Sequence, residues 1–463
     1  MNFNIVDRSR DKLRVRISKF KTAFLLLQKI KIMKHIIWLF LGFALVSCQS
    51  RVSEQKIANT ADYDQYLQSK TTQQSVEAIN QEINFWENKL TQSAKSVTYM
   101  GKLGGLYSKK FRVDGNVAHV YTSDSLYKLA GGRNAFSNAG LYQALSANSI
   151  TKHEFIEAKA YAEKALIEGD KKLASYYLLF DALMELGEYE RATGILNIQE
   201  NKNAFDYLVR ASKLADHNGD LDMAIELMEQ GFERVKSDNH LYAWSKSNLG
   251  DMYGHAGRIQ DSYNAYLEVL NKNPEHWHSM KGIAWIAFAH DKNTSEAKRI
   301  LEKVKRYDND PQLTFMLAEI AEYESQDDLA KQLKGQYYAE VSSPEYLGMY
   351  NKYLILLEAE DLEMPEAAIQ RATAEQVKRP TPEMYDLLAW SYFQKGDNAK
   401  ALELAKDYIE ERTSHPEVLY HLGVIFKKNN FEEKGNTYLK QALESTFELG
   451  PLTTEKIKMA LKS

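Results

Sequence analysis

Two rhythms run through the apolar positions of this chain. The short one is helical: Ile79, Ile83, Trp86 and Leu90 fall on one face of an α-helix, and the same three-to-four spacing recurs towards the C-terminus. The long one repeats every 34 residues. Tyr385, Leu388-Ala389, Tyr392, Gly396 and Ala401 are followed one period on by Leu419, Leu422-Gly423 and Phe426, then Gly435, Leu439 and Ala442; one period earlier stand Leu354-Ile355 and Ala367. A second train runs from Leu249-Gly250 and Tyr253 through Ile283-Ala284 to Leu317-Ala318, and a third from Leu145-Ser146 to Leu179-Phe180. A fixed period of this length marks stacked helical units, none of which buries its apolar face alone. No strand-like alternation of any length competes with it.

Glycine and proline punctuate the pattern consistently. Leu186-Gly187-Glu188, Asn218-Gly219-Asp220 and Lys395-Gly396-Asp397 place glycine where a helix must end in the left-handed conformation. Pro274, Pro311, Pro344, Pro380, Pro382, Pro416 and Pro451 fall at unit junctions, and Pro365 falls between paired helices. None interrupts a proposed helix, where it would cost about 3 kcal/mol.

These spacings resemble the tetratricopeptide repeat (TPR), two antiparallel helices per unit with small residues at the close crossing. The resemblance implies an all-α fold: an α-solenoid of about ten helix-turn-helix units over residues 99–449, between capping helices at 75–98 and 450–463. In the first, looser unit, helices at 102–107 and 125–130 flank a long loop from Phe111 to Thr122. The resemblance also implies a concave groove for a partner protein or peptide, lined by the first helix of each unit. Its inward positions map onto Trp244, Trp285, Phe288, Phe315, Trp390, Phe393 and Tyr420, with Asp251, Glu319, Glu322, Glu383 and Asp386 as acidic neighbours. Aromatic side chains in a concave surface are strong anchors for a bound segment. The family's carboxylate clamp is not matched, since Lys281 is followed four residues on by Trp285 rather than Asn.

The N-terminal region reads differently. Met33-Lys34 opens a basic start, Ile36 to Val46 is an unbroken apolar run, and Ser47 precedes Cys48, the only cysteine in 463 residues. That run is too short to span a bilayer of about 30 Å hydrocarbon as a helix, and has the length of a signal-peptide core. Leu45-Val46-Ser47-Cys48 resembles the lipobox of bacterial lipoproteins. The resemblance implies a signal peptide at 33–47, lipidation of Cys48 and a membrane anchor of two or three acyl chains. Residues 1–32, with nine Lys/Arg, fit no part of this scheme and are expected to lie upstream of the true start at Met33. Gln49 after the cysteine points, by resemblance to lipoprotein sorting, to the outer membrane, and the absence of an acidic run at 50–54 to its periplasmic face. The Ser/Thr/Gln-rich stretch 48–74 reads as a flexible tether.

Charge then narrows the partners. The net charge of −4 contains a surplus of +8 in residues 1–47, so the remainder carries −12. An acidic body with no Lys/Arg stripe argues against nucleic acid, whose binding rests on neutralised phosphates. One cysteine excludes intramolecular disulfides and multi-thiolate metal sites. Asp216-x-Asn218-x-Asp220-x-Asp222 begins like a calcium loop, then puts Leu221 at the required glycine and Leu227 at the bidentate glutamate; it reads as an inter-helix turn. In His276-Trp277-His278 the two imidazoles point apart on a helix, so the group reads as surface and groove. No metalloprotease, nucleophile-elbow or phosphate-loop pattern occurs. No cofactor, metal or catalytic residue is therefore expected. The leading expectation is a membrane-anchored scaffold binding proteins or peptides at the cell envelope, with self-association through unfilled repeat ends as a further possibility. The alternative is a ligand-capturing lipoprotein of a nutrient-uptake system, similar to the SusD class.

Overall fold

The computed structural model describes residues 56–68, 74–132, 138–169, 172–346 and 348–463, which belong to one compact unit beginning at Lys56. The expectations for the extension 1–32, the signal peptide 33–47 and Cys48 lie outside the described residues.

Every regular element among the described residues is helical, which makes the fold an all-α solenoid. Helix α1 (Thr60–Gln68) and α2 (Gln74–Gln92) precede ten pairs. The pairs are α3 (Val97–Asp114) with α4 (Ala118–Gly131), α5 (Ala139–Thr151) with α6 (Phe155–Glu168), and α7 (Lys172–Glu185) with α8 (Tyr189–Asn197). Next come α9 (Phe205–His217) with α10 (Leu221–Val235), α11 (Asn239–His255) with α12 (Ile259–Lys272), and α13 (Trp277–Trp285) with α14 (Thr294–Val304). The last four are α15 (Gln312–Tyr323) with α16 (Asp327–Val341), α17 (Asn351–Glu360) with α18 (Pro365–Lys378), α19 (Pro382–Lys395) with α20 (Asn398–Leu404), and α21 (Pro416–Lys428) with α22 (Glu432–Ala442). Helix α23 (Thr446–Ala460) closes the chain. No helix of the described residues is long and apolar enough to cross a membrane.

The small and bulky positions of the 34-residue pattern explain how partners within a unit approach. The Tyr266 ring on α12 is wedged between Gly250 of α11 and Gly282 of α13, where an added methyl group at either glycine would overlap the ring. Gly423 of α21 meets Leu439 and the Gly435 backbone of α22 in the same way, and Gly104 of α3 meets Tyr127 of α4. Glycine at these points lets backbones close to a distance that any Cβ would forbid. Helix ends follow local chemistry too: the Thr381 hydroxyl accepts from the Met384 amide ahead of Pro382, and the Asp220 carboxylate accepts from Met223.

Units six apart touch, so the solenoid completes one superhelical turn about every six pairs. The Asn309 amide, at the start of the seventh pair, donates to the Asp114 carbonyl in the turn of the first, 195 residues away, at 2.9 Å. One step on, Gly348 faces His153; then Gly187 faces Thr381, and Gly219 faces Ser414. Arg379 reinforces the seam, pairing with Glu185 at 3.5 Å and lying 4.8 Å over the Phe155 ring. The left-handed turn glycines Gly187 and Gly219 therefore both end helices and admit the neighbouring turn (φ +75° and +80°).

Three expectations are corrected. The loop from Phe111 to Thr122 shrinks to Gly115–Val117, because α3 continues to Asp114 and stops at Gly115, whose left-handed φ of +66° closes the helix onto the Phe111 carbonyl. Within the stretch expected to be a tether, residues 56–68 are packed. Ala58, Tyr63 and Leu67 are buried against Tyr263, Ile300 and their neighbours, and the amides of Ile57 and Ala58 donate to the Asp291 carboxylate at 3.0 and 2.8 Å. The Tyr63 hydroxyl reaches Glu296 at 2.8 Å, and Arg299 pairs with Asp64 at 2.7 Å. Polar spacing hid three apolar residues that share one buried cluster with Tyr263 and Ile300. Third, the C-terminal helix starts at Thr446 and carries Gly450-Pro451 inside it, Gly450 turning the chain with φ +71° and ψ 173°.

Candidate functional site

The first helices of the later pairs present their inward faces to one another and to α23. Trp285, Phe315, Glu319, Tyr353, Glu360 and Tyr420 from α13, α15, α17 and α21 line a cavity of about 390 Å³, and Leu449, Leu452 and Lys456 of α23 form its far wall. Of the seven aromatics mapped from sequence, the structure brings Trp285, Phe315 and Tyr420 into this cavity. Phe315 is braced by Tyr337 and Tyr353 at 5.1 and 5.6 Å between ring centroids. Trp390 stands behind the cavity and is only 2% exposed, stacked between Phe393 (5.0 Å) and His421 (4.0 Å). Its indole N–H donates to Glu360 at 2.8 Å.

The remaining two are displaced from the groove. Phe288 is buried at 1% exposure between Trp285 and Tyr323 because the π-helical turn Ile286–His290 turns it into the core. Trp244 is 43% exposed and lies edge-on to Phe205, away from the cavity. Expected exposure therefore fails at Phe288 and Trp390, where packing between adjacent helices takes the ring. Near the mapped acidic residues, Asp251 is bound by Tyr266 and His278, and His276 caps α13 by accepting from the Ser279 amide.

Charged pairs bridge the helices that face the cavity. Lys352 of α17 pairs with Glu417 of α21 at 2.7 Å. Burial alone would raise the Glu417 carboxyl, yet Lys352, His421 and His415 hold it at about 2. His421 lies 2.8 Å from Asp386 of α19, both almost fully buried. Burial raises Asp386 despite His421, and Asp386 raises His421 despite burial, so the pair keeps its proton to higher pH. The second Asp386 oxygen has no hydrogen-bond partner. Burial beside Glu322 pushes Glu319 up to about 7, with Lys334 and Lys456 only partly compensating. Lys334 itself bridges Glu322 and Asp361 at 2.6 and 2.5 Å.

A larger cavity of about 1190 Å³ opens between the superhelical turns and shares His415, Pro416 and Glu448 with the smaller one. Glu185, Asp216, Glu383, Glu410, Glu411, Glu444 and Glu448 line it against Lys213, Arg379 and Lys434. The inner surface is thus predominantly acidic, with aromatic rings at intervals. Sequence reasoning missed Lys352, Glu360, Glu417, His421 and Lys456, though Lys352 and Asp386 stand one repeat period apart. It also missed that α23 lies on this face. No group of three or more His, Cys, Asp or Glu among the described residues is placed to hold a metal ion.

No family model matches the chain, and no curated protein matches it. Solved structures similar to it include YrrB, described as a TPR protein with an unusual peptide-binding site, at 19% identity over 42% of this chain and 95% of that one, TM-score 0.25. A tetratricopeptide repeat protein from Parabacteroides merdae is 18% identical over 56% of this chain and 97% of its own, TM-score 0.33. Both are helical-repeat proteins. At this level of likeness neither transfers any residue's role to this chain.

Proposed function

We propose that this chain is a TPR-type scaffold, lipid-anchored through Cys48 on the periplasmic face of the outer membrane, that holds a partner protein or peptide against its inner face. The observation that carries the binding part is the convergence of Trp285, Phe315 and Tyr420 with paired and unpaired charges around one cavity. Rigid aromatic anchors beside directional charges suit a polypeptide segment, because rings supply contact area and charges set register. The anchor rests on the sequence Leu45-Val46-Ser47-Cys48 after an apolar run of signal-peptide length. The described residues 56–68, which follow Cys48 in the sequence, are packed onto the solenoid. No inserted region interrupts the pairs among the described residues, which favours a scaffold over a ligand-capturing uptake protein.

The test is co-purification from detergent-solubilised membranes, comparing the chain with its Cys48→Ser variant. The reading expects the wild-type chain in the membrane fraction with a protein partner, and the variant released from that fraction. A variant that stays acylated in the membrane refutes the anchor; retention of sugars alone refutes the scaffold.

A further inference from the structure

Beyond a general docking face, the structure shows what that face already holds. Helix α23 caps the last pair at one end, where Ile457 is buried against Leu439 and Ala442. Its other end leaves the last pair and crosses to the fifth and sixth. There the Phe447 ring lies against Gly254 of α11, where a methyl group on the glycine would stand 2.6 Å from it. The Trp285 indole N–H donates to the Phe447 carbonyl at 3.0 Å, and Gly450 stands so close to the same indole that an added methyl group would lie 2.9 Å from it. Glu448 faces His255 at 3.8 Å. Lys456 pairs at 3.2 Å with Glu360, the carboxylate that also accepts from Trp390.

These are the contacts of a bound peptide: one aromatic in a socket made by a glycine and a tryptophan, a backbone carbonyl held by an indole, and a lysine nine residues on against a carboxylate. They are also weaker than core packing. Phe447 is only half-buried, the Lys456 and His255 side chains are 42% and 49% exposed, and the 390 Å³ cavity lies between the segment and the inner face. Protein interiors close such gaps; displaceable ligands do not need to.

We infer that α23 is a resident ligand of the inner face, and that an external polypeptide carrying an aromatic residue and a lysine nine positions later binds there by displacing it. The inference rests on the reading of the inner face as a docking site and names the partner's chemistry. A tethered occupant lowers the apparent affinity for an outside competitor by the fraction of time the site is empty. Loosening the tail should therefore raise that affinity without touching the site.

The probe is a fluorescent peptide of residues 445–463, titrated into the full chain in detergent and read by anisotropy. Removing an aromatic anchor of hot-spot strength costs a bound segment about 30-fold in occupancy. A Phe447→Ala chain should accordingly bind the wild-type peptide about 30-fold more tightly than the wild-type chain does. Peptides carrying Phe447→Ala or Lys456→Glu should lose that gain, and because these changes are in the probe, no folding defect of the chain can produce the loss. A Gly254→Val chain, its socket filled, should fail to bind. Equal affinity of the wild-type and Phe447→Ala chains, or binding indifferent to the peptide substitutions, would overturn the inference and make α23 a structural plug. Peptide capture without a co-purifying partner would instead count against the proposed scaffold while leaving the resident-ligand assignment intact.

Discussion

Glu319 offers a stability test whose sign depends on pH. Its carboxyl lies on the inner face beside Glu322, and burial with that like charge pushes it up to about 7, against 4.5 for an unperturbed glutamate. A carboxyl whose folded value exceeds its unfolded one binds a proton preferentially in the folded state, so stability declines as pH rises from the unfolded value through the folded one. A displacement of this size corresponds to about 3 kcal/mol lost once the group is ionised in the folded chain. Glu319→Gln keeps the shape of the protonated acid and removes the charge. The variant should match the wild type near pH 5 and exceed it by up to about 3 kcal/mol near pH 8. Urea unfolding followed by helical circular dichroism at the two pH values reads this as a midpoint shift present only at the higher one. Glu417, held at about 2 by Lys352 across the same cavity, behaves oppositely: its stabilisation is present above the ordinary glutamate value and is lost as pH falls towards about 2. Equal midpoint differences for Glu319→Gln at both pH values would refute the placement of this carboxyl among buried like charge.

Two glycine substitutions should have opposite signs. Gly282→Ala forces the Tyr266 ring, already pinned by Gly250, and should destabilise by about 1–3 kcal/mol, whereas Gly335→Ala, exposed on α16 with nothing within 4 Å, should stabilise by about 0.5–1 kcal/mol. Phe288→Ala should cost about 3–5 kcal/mol because the ring is core, while Trp244→Ala, 43% exposed, should change the unfolding midpoint by less than about 1 kcal/mol. Asp291→Ala removes the acceptor for two amides of the N-terminal segment; limited proteolysis should then cut within 56–68 well before the repeats, while the rest of the chain keeps its helicity.

What the sequence revealed and what it concealed follow from the range of each interaction. The repeat is local: Leu249-Gly250, Tyr266 and Ile283-Ala284 encode how one helix sits in its neighbour's crossing, so units and turn glycines are readable from a single period. Among the described residues ten pairs are found where about ten were expected. Curvature is not local. The seam joining Asp114 to Asn309 spans 195 residues, the bond from Trp285 to Phe447 spans 162, and Asp291 holds Ile57 across 234. No periodic pattern links those positions, so the packed segment 56–68 looked like tether and α23 looked only like a cap. Aromatic exposure failed for a related reason: His421 of a neighbouring helix stacks on Trp390, and the π-helical turn carries Phe288 into the core against Tyr323. The first turn differs as well: a loop was expected from Phe111, but the helix persists to Asp114 and ends at Gly115.

The central claim, that the inner face holds a partner polypeptide, is tested most directly by a photo-crosslinking residue placed at Phe315 in cells, with Trp244, exposed but outside the cavity, as the control. The account predicts an adduct with another polypeptide from the Phe315 position, strengthened by Phe447→Ala, and little or none from Trp244. Adducts from Trp244 with none from Phe315 in either background would contradict it, because binding would then bypass the cavity that Phe315 lines and leave that cavity to α23 alone.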